Sequence, residues 1–256
     1  MVNYSNVTEI PGQKATSSQL SMMMTRYHLA KLHSVNKDVL EVACGSGTGL
    51  GYISEAARSV VGGDIDVELV KIATNNYDGT SNVKVQILDA QNLTFSDNSF
   101  DLILLFEAIY YIPDVDAFIA EALRVVRPGG KIIIATVNCD WHGFNPSPYS
   151  VKYYQGKELL TMFEGKAKSE LLVGFKDMPT GSNYYTSQVR RIAAKFGLIP
   201  NTMKSKEKLK RLFYGKLKPI PIVLYEGLAK VETLIPYEDV KDNDRFYKQL
   251  YLVVEV

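Results

Sequence analysis

The sequence predicts an α/β fold, a mostly parallel sheet with helices on both faces. Three observations carry that expectation. A glycine-dense turn, Gly45-Ser46-Gly47-Thr48-Gly49, follows a short apolar strand at 39–42 and opens a helix. Glycine suits such a turn because it takes φ > 0 and lets a ligand lie against the backbone, while free N–H groups at a helix start favour polar or anionic groups. Two later apolar stretches each end in acid, at Asp64 and Asp89, and ligands of open α/β sheets sit at the carboxyl ends of strands. Finally, residues 100–106 form a nearly continuous apolar run, as a parallel strand covered on both faces requires.

Composition bounds the rest. With 256 residues, 46% of them hydrophobic and 22% charged, the chain can bury a sizeable core and sits at the upper end of a single domain. Its 29 basic residues nearly balance 28 acidic ones, so no global charge argues for nucleic acid as a partner. Cys44 and Cys139 form neither a disulfide framework nor a C-x-x-C metal site, which fits a reduced, cytoplasmic setting. The N-terminal stretch lacks a basic region followed by an apolar core, and no apolar run approaches about 18 residues. A soluble, unsecreted protein is expected.

The spacing of the glycines excludes a dinucleotide fingerprint. That motif needs a third glycine five places after the first, whereas counting from Gly45, Gly47 or Gly49 reaches Leu50, Tyr52 or Ser54. Glu41-x-Ala43-x-Gly45-x-Gly47-x-Gly49 instead resembles motif I of the class I S-adenosylmethionine-dependent methyltransferases, commonly E/D-x-G-x-G-x-G, with Ala43 where that family usually has its first glycine. Phe100-Asp101 before an apolar strand, then Glu107-Ala108-Ile109-Tyr110-Tyr111, resembles the fourth-strand motif of the UbiE-like (methyltransferase type 11) small-molecule group. Leu123-Arg124-Val125-Val126-Arg127-Pro128-Gly129-Gly130 is similar to its L-R-x-x-x-P-G-G turn. The resemblance covers about residues 37–138. It implies a Rossmann-like sheet of seven strands, the last one antiparallel, with S-adenosylmethionine as cofactor.

Taken in order, residues 1–16 read as an irregular arm, and Ser17 or Ser18 caps a helix running to about His33. In the resembling family this helix closes over the cofactor, which would bring Arg26, Tyr27 or His28 near it; the alternative is a helix that merely covers the sheet edge. The cradle then comprises Glu41, Ala43, Cys44, Gly45 and Gly47, followed by a helix at about 48–58. Asp64, with Ile65 beside it, ends the second strand, where a carboxylate can accept both ribose hydroxyls. Asp66 is read as the cap of a helix over 67–75. By resemblance, Asp89 at the end of the strand 83–90 takes the adenine amino group and Ala90 offers its N–H to a ring nitrogen. Phe106 closes the fourth strand beside the cofactor. A helix over 114–127 then leads to Pro128-Gly129-Gly130, where proline stops the helix and the glycines reverse the chain into strand five.

Beyond strand five lies a long polar and aromatic loop, 138–149, of the kind that more often serves function than connection. A helix at 157–163, a strand at 171–175 and a closing strand at 247–254 complete the core. The organisation expected is an arm and lid helix at 1–36, a cofactor-binding core at 37–179, an insertion at 180–245 and the closing strand at 246–256. The insertion carries seven basic residues between Lys204 and Lys218 opposed by Glu207 alone. The plain reading is an amphipathic surface helix; the sharper one is contact with an anionic membrane surface or a phosphate-bearing carrier.

Methyl transfer from a sulfonium needs mainly alignment of the acceptor, and a hydroxyl acceptor gains roughly 10²- to 10⁴-fold from a general base. Candidates at the mouth of strands four and five are His142, Glu107, Asp140 and the pair Tyr110 and Tyr111, with His142 first because a neutral imidazole near pH 7 accepts a proton. Three scattered histidines assemble no metal or Ser-His-Asp arrangement, so metal-independent chemistry is expected. The acceptor expected is a small molecule methylated on a hydroxyl oxygen, a sugar or secondary metabolite, stacked on Trp141, Phe144 or Tyr149. The alternatives are methylation of RNA or protein, or a non-catalytic cofactor-binding subunit.

Overall fold

The computed structural model describes residues 8–178 and 217–256. Its centre is an eight-stranded sheet built from β2 (Asp38–Val42), β3 (Ser59–Asp64), β4 (Val83–Ile87), β5 (Phe100–Phe106), β6 (Val126–Val137), β7 (Lys168–Lys176), β9 (Ile235–Pro236) and β10 (Tyr247–Glu255), in the order β4-β3-β2-β5-β6-β10-β7-β9. From β4 to β6 all neighbours are parallel, and β10 runs antiparallel to both β6 and β7. The expected seven strands are all present. The eighth, β9, is a two-residue edge pairing with β7 through Leu172 and Val173. A separate ribbon joins β1 (Lys14–Ala15) of the arm to β8 (Lys218–Pro219).

Both faces of the sheet are buried, which is why β5 reads as a continuous apolar run. Successive side chains of a strand point to opposite faces: Ile103 and Leu105 join a core with Phe118, Ile119 and Ala122 of α4 (Val115–Val125). Leu102, Leu104 and Phe106 join the opposite core with Leu20, Met23 and Met24 of α1 (Ser17–His33) and Leu50 and Ile53 of α2 (Leu50–Ser54).

Element ends differ from expectation in instructive ways. Helix α1 is capped by Thr16, whose side chain accepts from Gln19 N while Gln19 reaches back to Thr16 N, a reciprocal capping box that outcompetes the serines at the first helical positions. Helix α2 is shorter than the 48–58 expected because Gly47 and Thr48 are still in the turn. Asp66 caps α3 (Val67–Asn76) by accepting from Glu68 N and Leu69 N. The Pro128-Gly129-Gly130 motif does not precede strand five but lies within β6, and α4 ends earlier, at Val125. Arg124, the arginine of that motif, ties α4 to the chain before β5, donating to the carbonyls of Leu93 and Phe95 and to Glu121 and Asp97. The second half of the core includes α5 (Gly156–Thr161) packed on β7 and β10. Of the insertion, only residues 217–245 are described; the basic stretch from Lys204 lies outside the described residues except for Lys218. No helix of the described residues is long and apolar enough to cross a membrane.

Candidate active site

The carboxyl ends of β2, β3, β4 and β5 open into one cleft of about 460 Å³. Its floor is the turn after β2. There Ala43, Gly45 and Gly47 hold φ of 56°, 58° and 73°, the left-handed region that disfavours residues with a Cβ. Asp64 pins this turn: its Oδ2 accepts from Gly45 N at 2.8 Å and its Oδ1 from Asp66 N at 2.9 Å. Burial nonetheless raises the Asp64 pKa above the ordinary carboxylate value. Because Ala43 carries left-handed strain worth roughly 1–2 kcal/mol, partly offset by the greater chain entropy of glycine, Ala43→Gly is expected to stabilise the protein by about 0.5–1 kcal/mol. A urea midpoint at or below that of the wild type would refute this.

Gly49 explains how α1 reaches the cleft. A Cβ there would fall 1.8 Å from the Tyr27 ring, so only glycine lets the helix lie against the turn. Tyr27 thereby donates its hydroxyl to Glu41 Oε1 at 2.6 Å, and packs edge-on against Phe106 at 5.3 Å. Glu41 is 1% exposed; burial pushes its pKa up to about 7, against the hydrogen bond from Tyr27 and the charge of Arg26. Its Oε2 has no partner among the described residues. A carboxyl whose folded pKa lies above its unfolded value of 4.5 holds its proton more tightly when folded. Its contribution to stability is therefore intact below pH 4.5 and lost as pH rises through about 7. Glu41→Gln should match the wild type in thermal stability at pH 4.5 and exceed it at pH 8, by at most roughly 2–3 kcal/mol. An equal difference at both pH values would contradict the assignment.

Arg26, 5% exposed, pairs with Glu9 of the arm. Burial opposes its charge, but Glu9, Tyr27 and Glu107 around it hold its pKa above the ordinary arginine value. Asp89 Oδ1 accepts from the backbone and side chain of Gln91 at 2.9 and 3.2 Å, leaving its Oδ2 available beside Ala90.

Glu107, the residue after β5, also lines the cleft and has φ of 53°. This backbone conformation is strained for a non-glycine residue, and such strain gathers at functional sites. The Tyr110 hydroxyl donates to Glu107 Oε2 at 3.1 Å and Gln249 of β10 lies beside the carboxylate, while Oε1 is buried without a partner among the described residues. Burial raises the Glu107 pKa and Arg26 opposes the rise. Tyr110 stacks on Tyr153 at 4.8 Å and meets Tyr111 edge-on at 4.6 Å. Met22, Met23, Ile112, Pro113 and Val137 complete an apolar rim.

The cleft brings together Arg26, Tyr27, Glu41, Ala43, Cys44, Gly45, Asp64, Ile65, Asp89, Ala90, Phe106, Glu107 and Tyr110. It does not include Gly47, where an added Cβ would meet Ala73 of α3 at 2.9 Å; this glycine serves helix packing. Nor does it include His142. That side chain turns to the far side of its loop, with Nε2 2.8 Å from the Asp177 carbonyl and the ring beside Trp141 and Phe246. Asp140 is engaged by Gln155 Nε2 at 2.9 Å, Phe144 packs behind Tyr153 at 4.7 Å, and Tyr149 is exposed. His28 lies at 3.4 Å from the Tyr52 hydroxyl, away from the cleft. Reading the residues alone missed Thr8, Glu9, Ser46 and Gln249. Only Gln249 left a signal, a polar residue inside an apolar closing strand. Among the described residues no group of three or more His, Cys, Asp or Glu is arranged to hold a metal ion.

Comparison with known proteins agrees with this geometry. Residues 40–134 match the methyltransferase domain family. The chain is 37% identical over 113 residues to a phthiotriol/phenolphthiotriol dimycocerosates methyltransferase of Mycobacterium ulcerans, covering 42% of this chain and 41% of that one. The match thus spans about two fifths of the relative's length. Among solved structures, a SAM dependent methyltransferase from Aquifex aeolicus shares the fold with TM-score 0.52 at 21% identity, over 61% of this chain and 89% of that one. The cyclase SpnF shares it with TM-score 0.58 at 17% identity, over 96% and 84%.

Proposed function

We infer from the methyltransferase domain at residues 40–134 that the chain transfers a methyl group from S-adenosylmethionine to the hydroxyl oxygen of a small-molecule acceptor. The observation that supports it best is a pair of buried carboxylates lining one cleft, Glu41 and Glu107, each with one oxygen that has no hydrogen-bond partner among the described residues. Buried polar atoms are nearly always satisfied, so each points to a group that arrives with a ligand.

The residues fit S-adenosylmethionine. Among the described residues the cleft is lined by five carboxylates, Glu9, Glu41, Asp64, Asp89 and Glu107, against one cation, Arg26, an electrostatic match for a ligand bearing a sulfonium and an ammonium. Glu41 Oε2 would receive the ammonium, Arg26 the carboxylate, Asp64 the ribose hydroxyls, and Asp89 with Ala90 N–H the adenine edge. When bound, the cofactor supplies an activated methyl on sulfur.

The chain's own work is then alignment and proton removal. Tyr110 and Tyr111 flank a flat acceptor, the apolar rim excludes water, and Glu107 Oε1 takes the hydroxyl proton while Tyr110 and Gln249 hold the carboxylate in place. A base so positioned contributes roughly 10²- to 10⁴-fold. Sugars and phenolic metabolites fit the tyrosine wall. The carboxylate lining disfavours a phosphate within the cleft, so contact with a phosphate-bearing carrier or an anionic membrane would fall to the basic stretch near 204–218. We place the protein in the cytoplasm on its reduced cysteines.

Incubation with methyl-labelled S-adenosylmethionine and a panel of glycosides and phenols tests this, with labelled product and S-adenosylhomocysteine as the expected outcome. No calorimetric signal with either adenosyl compound would sink it. A second reading, cofactor binding without methyl transfer, draws on the likeness to a cyclase across 96% of the chain, because fold alone does not select chemistry. Tight binding with no transfer across the panel favours that reading.

A further inference from the structure

The arm resolves an imbalance within the cleft. Arg26 is fixed in a helix with its side chain 7% exposed, and a buried guanidinium needs a counter-charge at all times because isolated buried charge is strongly unfavourable. Glu9 supplies it from a segment of a different kind. Its side chain is 38% exposed, and the backbone around it is held by few contacts: Ser46 Oγ donates to the Glu9 carbonyl at 2.9 Å, Ile10 N donates to Gln13 Oε1 at 3.4 Å, and Gly12 N donates to the Ile220 carbonyl at 2.8 Å. The acid can retreat into water; the cation cannot.

We propose that Glu9 is an internal stand-in for the ligand's carboxylate: it occupies Arg26 in the free protein and is exchanged for the α-carboxylate of the adenosyl ligand on binding. Two features single out this residue. Glu9 and Arg26 both line the same cleft as the glycine turn, and Thr8 lies so close that a Cβ on Gly45 would fall 2.8 Å from its Cγ2. The arm therefore rests over the turn on which the ligand must sit. Furthermore, Arg26 Nε has no partner among the described residues, so the Glu9 carboxylate leaves the guanidinium fork partly unused. An incoming carboxylate offers two oxygens in the planar geometry that such a fork matches. The exchange conserves charge, since one carboxylate leaves Arg26 as another arrives. Its consequence is a competition that weakens binding of any ligand with an amino-acid end and spares ligands without one.

This inference rests on the cofactor reading above, and the test separates the two. Affinities of the full chain and of Glu9→Gln are measured by calorimetry for S-adenosylhomocysteine and for 5′-methylthioadenosine, which lacks the amino-acid end. Glu9→Gln is expected to bind S-adenosylhomocysteine about threefold to tenfold more tightly, the scale of one partly exposed ion pair, with 5′-methylthioadenosine changed less than about twofold. Adding Arg26→Gln to Glu9→Gln should abolish the gain. Weaker or unchanged binding of S-adenosylhomocysteine by Glu9→Gln overturns the exchange, and so does an equal shift for both ligands, which would mean that the arm only blocks the cleft. Failure of the wild type and of the variant to bind either nucleoside overturns the cofactor reading, and the exchange with it.

Discussion

Asp64→Ala is expected to weaken binding of S-adenosylhomocysteine about 100- to 1000-fold. Two effects combine. In the proposed cofactor site the carboxylate would accept from both ribose hydroxyls, and hydrogen bonds to a charged group contribute roughly 1.5–3 kcal/mol each. It also accepts from Gly45 N at 2.8 Å, so its loss releases the turn that the ligand rests on. Asp64→Asn is expected to give an intermediate loss: its amide oxygen can still accept from Gly45 N, but the charge is gone and its NH2 replaces the oxygen that accepts from Asp66 N. Asp89→Ala would remove the one adenine contact proposed for it and is expected to cost about tenfold, in line with a single hydrogen bond. Calorimetry on variants verified as folded by thermal unfolding reads all three. Wild-type affinity in folded Asp64→Ala would remove Asp64 from the cofactor site.

Glu107→Gln is expected to reduce turnover about 10²- to 10⁴-fold while S-adenosylhomocysteine affinity stays within about threefold, as loss of a general base acts on the chemical step. The pH profile gives an independent reading. Burial raises the Glu107 pKa above the ordinary 4.5, and a base must be ionised to accept a proton. Wild-type turnover should therefore climb with pH through that raised value, later than an ordinary carboxylate would allow, and the variant should lack this limb. Tyr110→Phe, which removes the 3.1 Å hydrogen bond to Oε2, should cause a smaller loss and move the limb to higher pH, because that donor favours the ionised form. A profile identical in wild type and Glu107→Gln would assign the base elsewhere.

That Glu41, Asp64 and Asp89 share one cleft was legible because these residues are local to strand ends. Asp64 and Asp89 close apolar runs, and a turn with three glycines in alternation has few other uses, so position along the chain translated directly into position in space. Gly47 shows the limit of this logic: a motif glycine can be required by helix packing against Ala73 rather than by a ligand. His142 shows a second limit. A loop at the correct edge of the sheet still has two sides, and the bond to the Asp177 carbonyl at 2.8 Å turns the imidazole to the wrong one. That Glu107 lines the cleft and His142 does not follows from side-chain direction, which chain order does not encode.

From the amino-acid order alone came the layered α/β architecture, the parallel run of strands and the carboxylates at their ends, because hydrophobic period and glycine placement are properties of neighbouring residues. Only the folded chain decided that Glu9 meets Arg26 across 17 positions, that Tyr27 reaches Glu41 across 14, and that Gln249 joins Glu107 from the closing strand. Those contacts depend on how distant segments pack in three dimensions, and burial in that packing is what raises the pKa values of Glu41 and Glu107 and leaves one oxygen of each without a partner among the described residues.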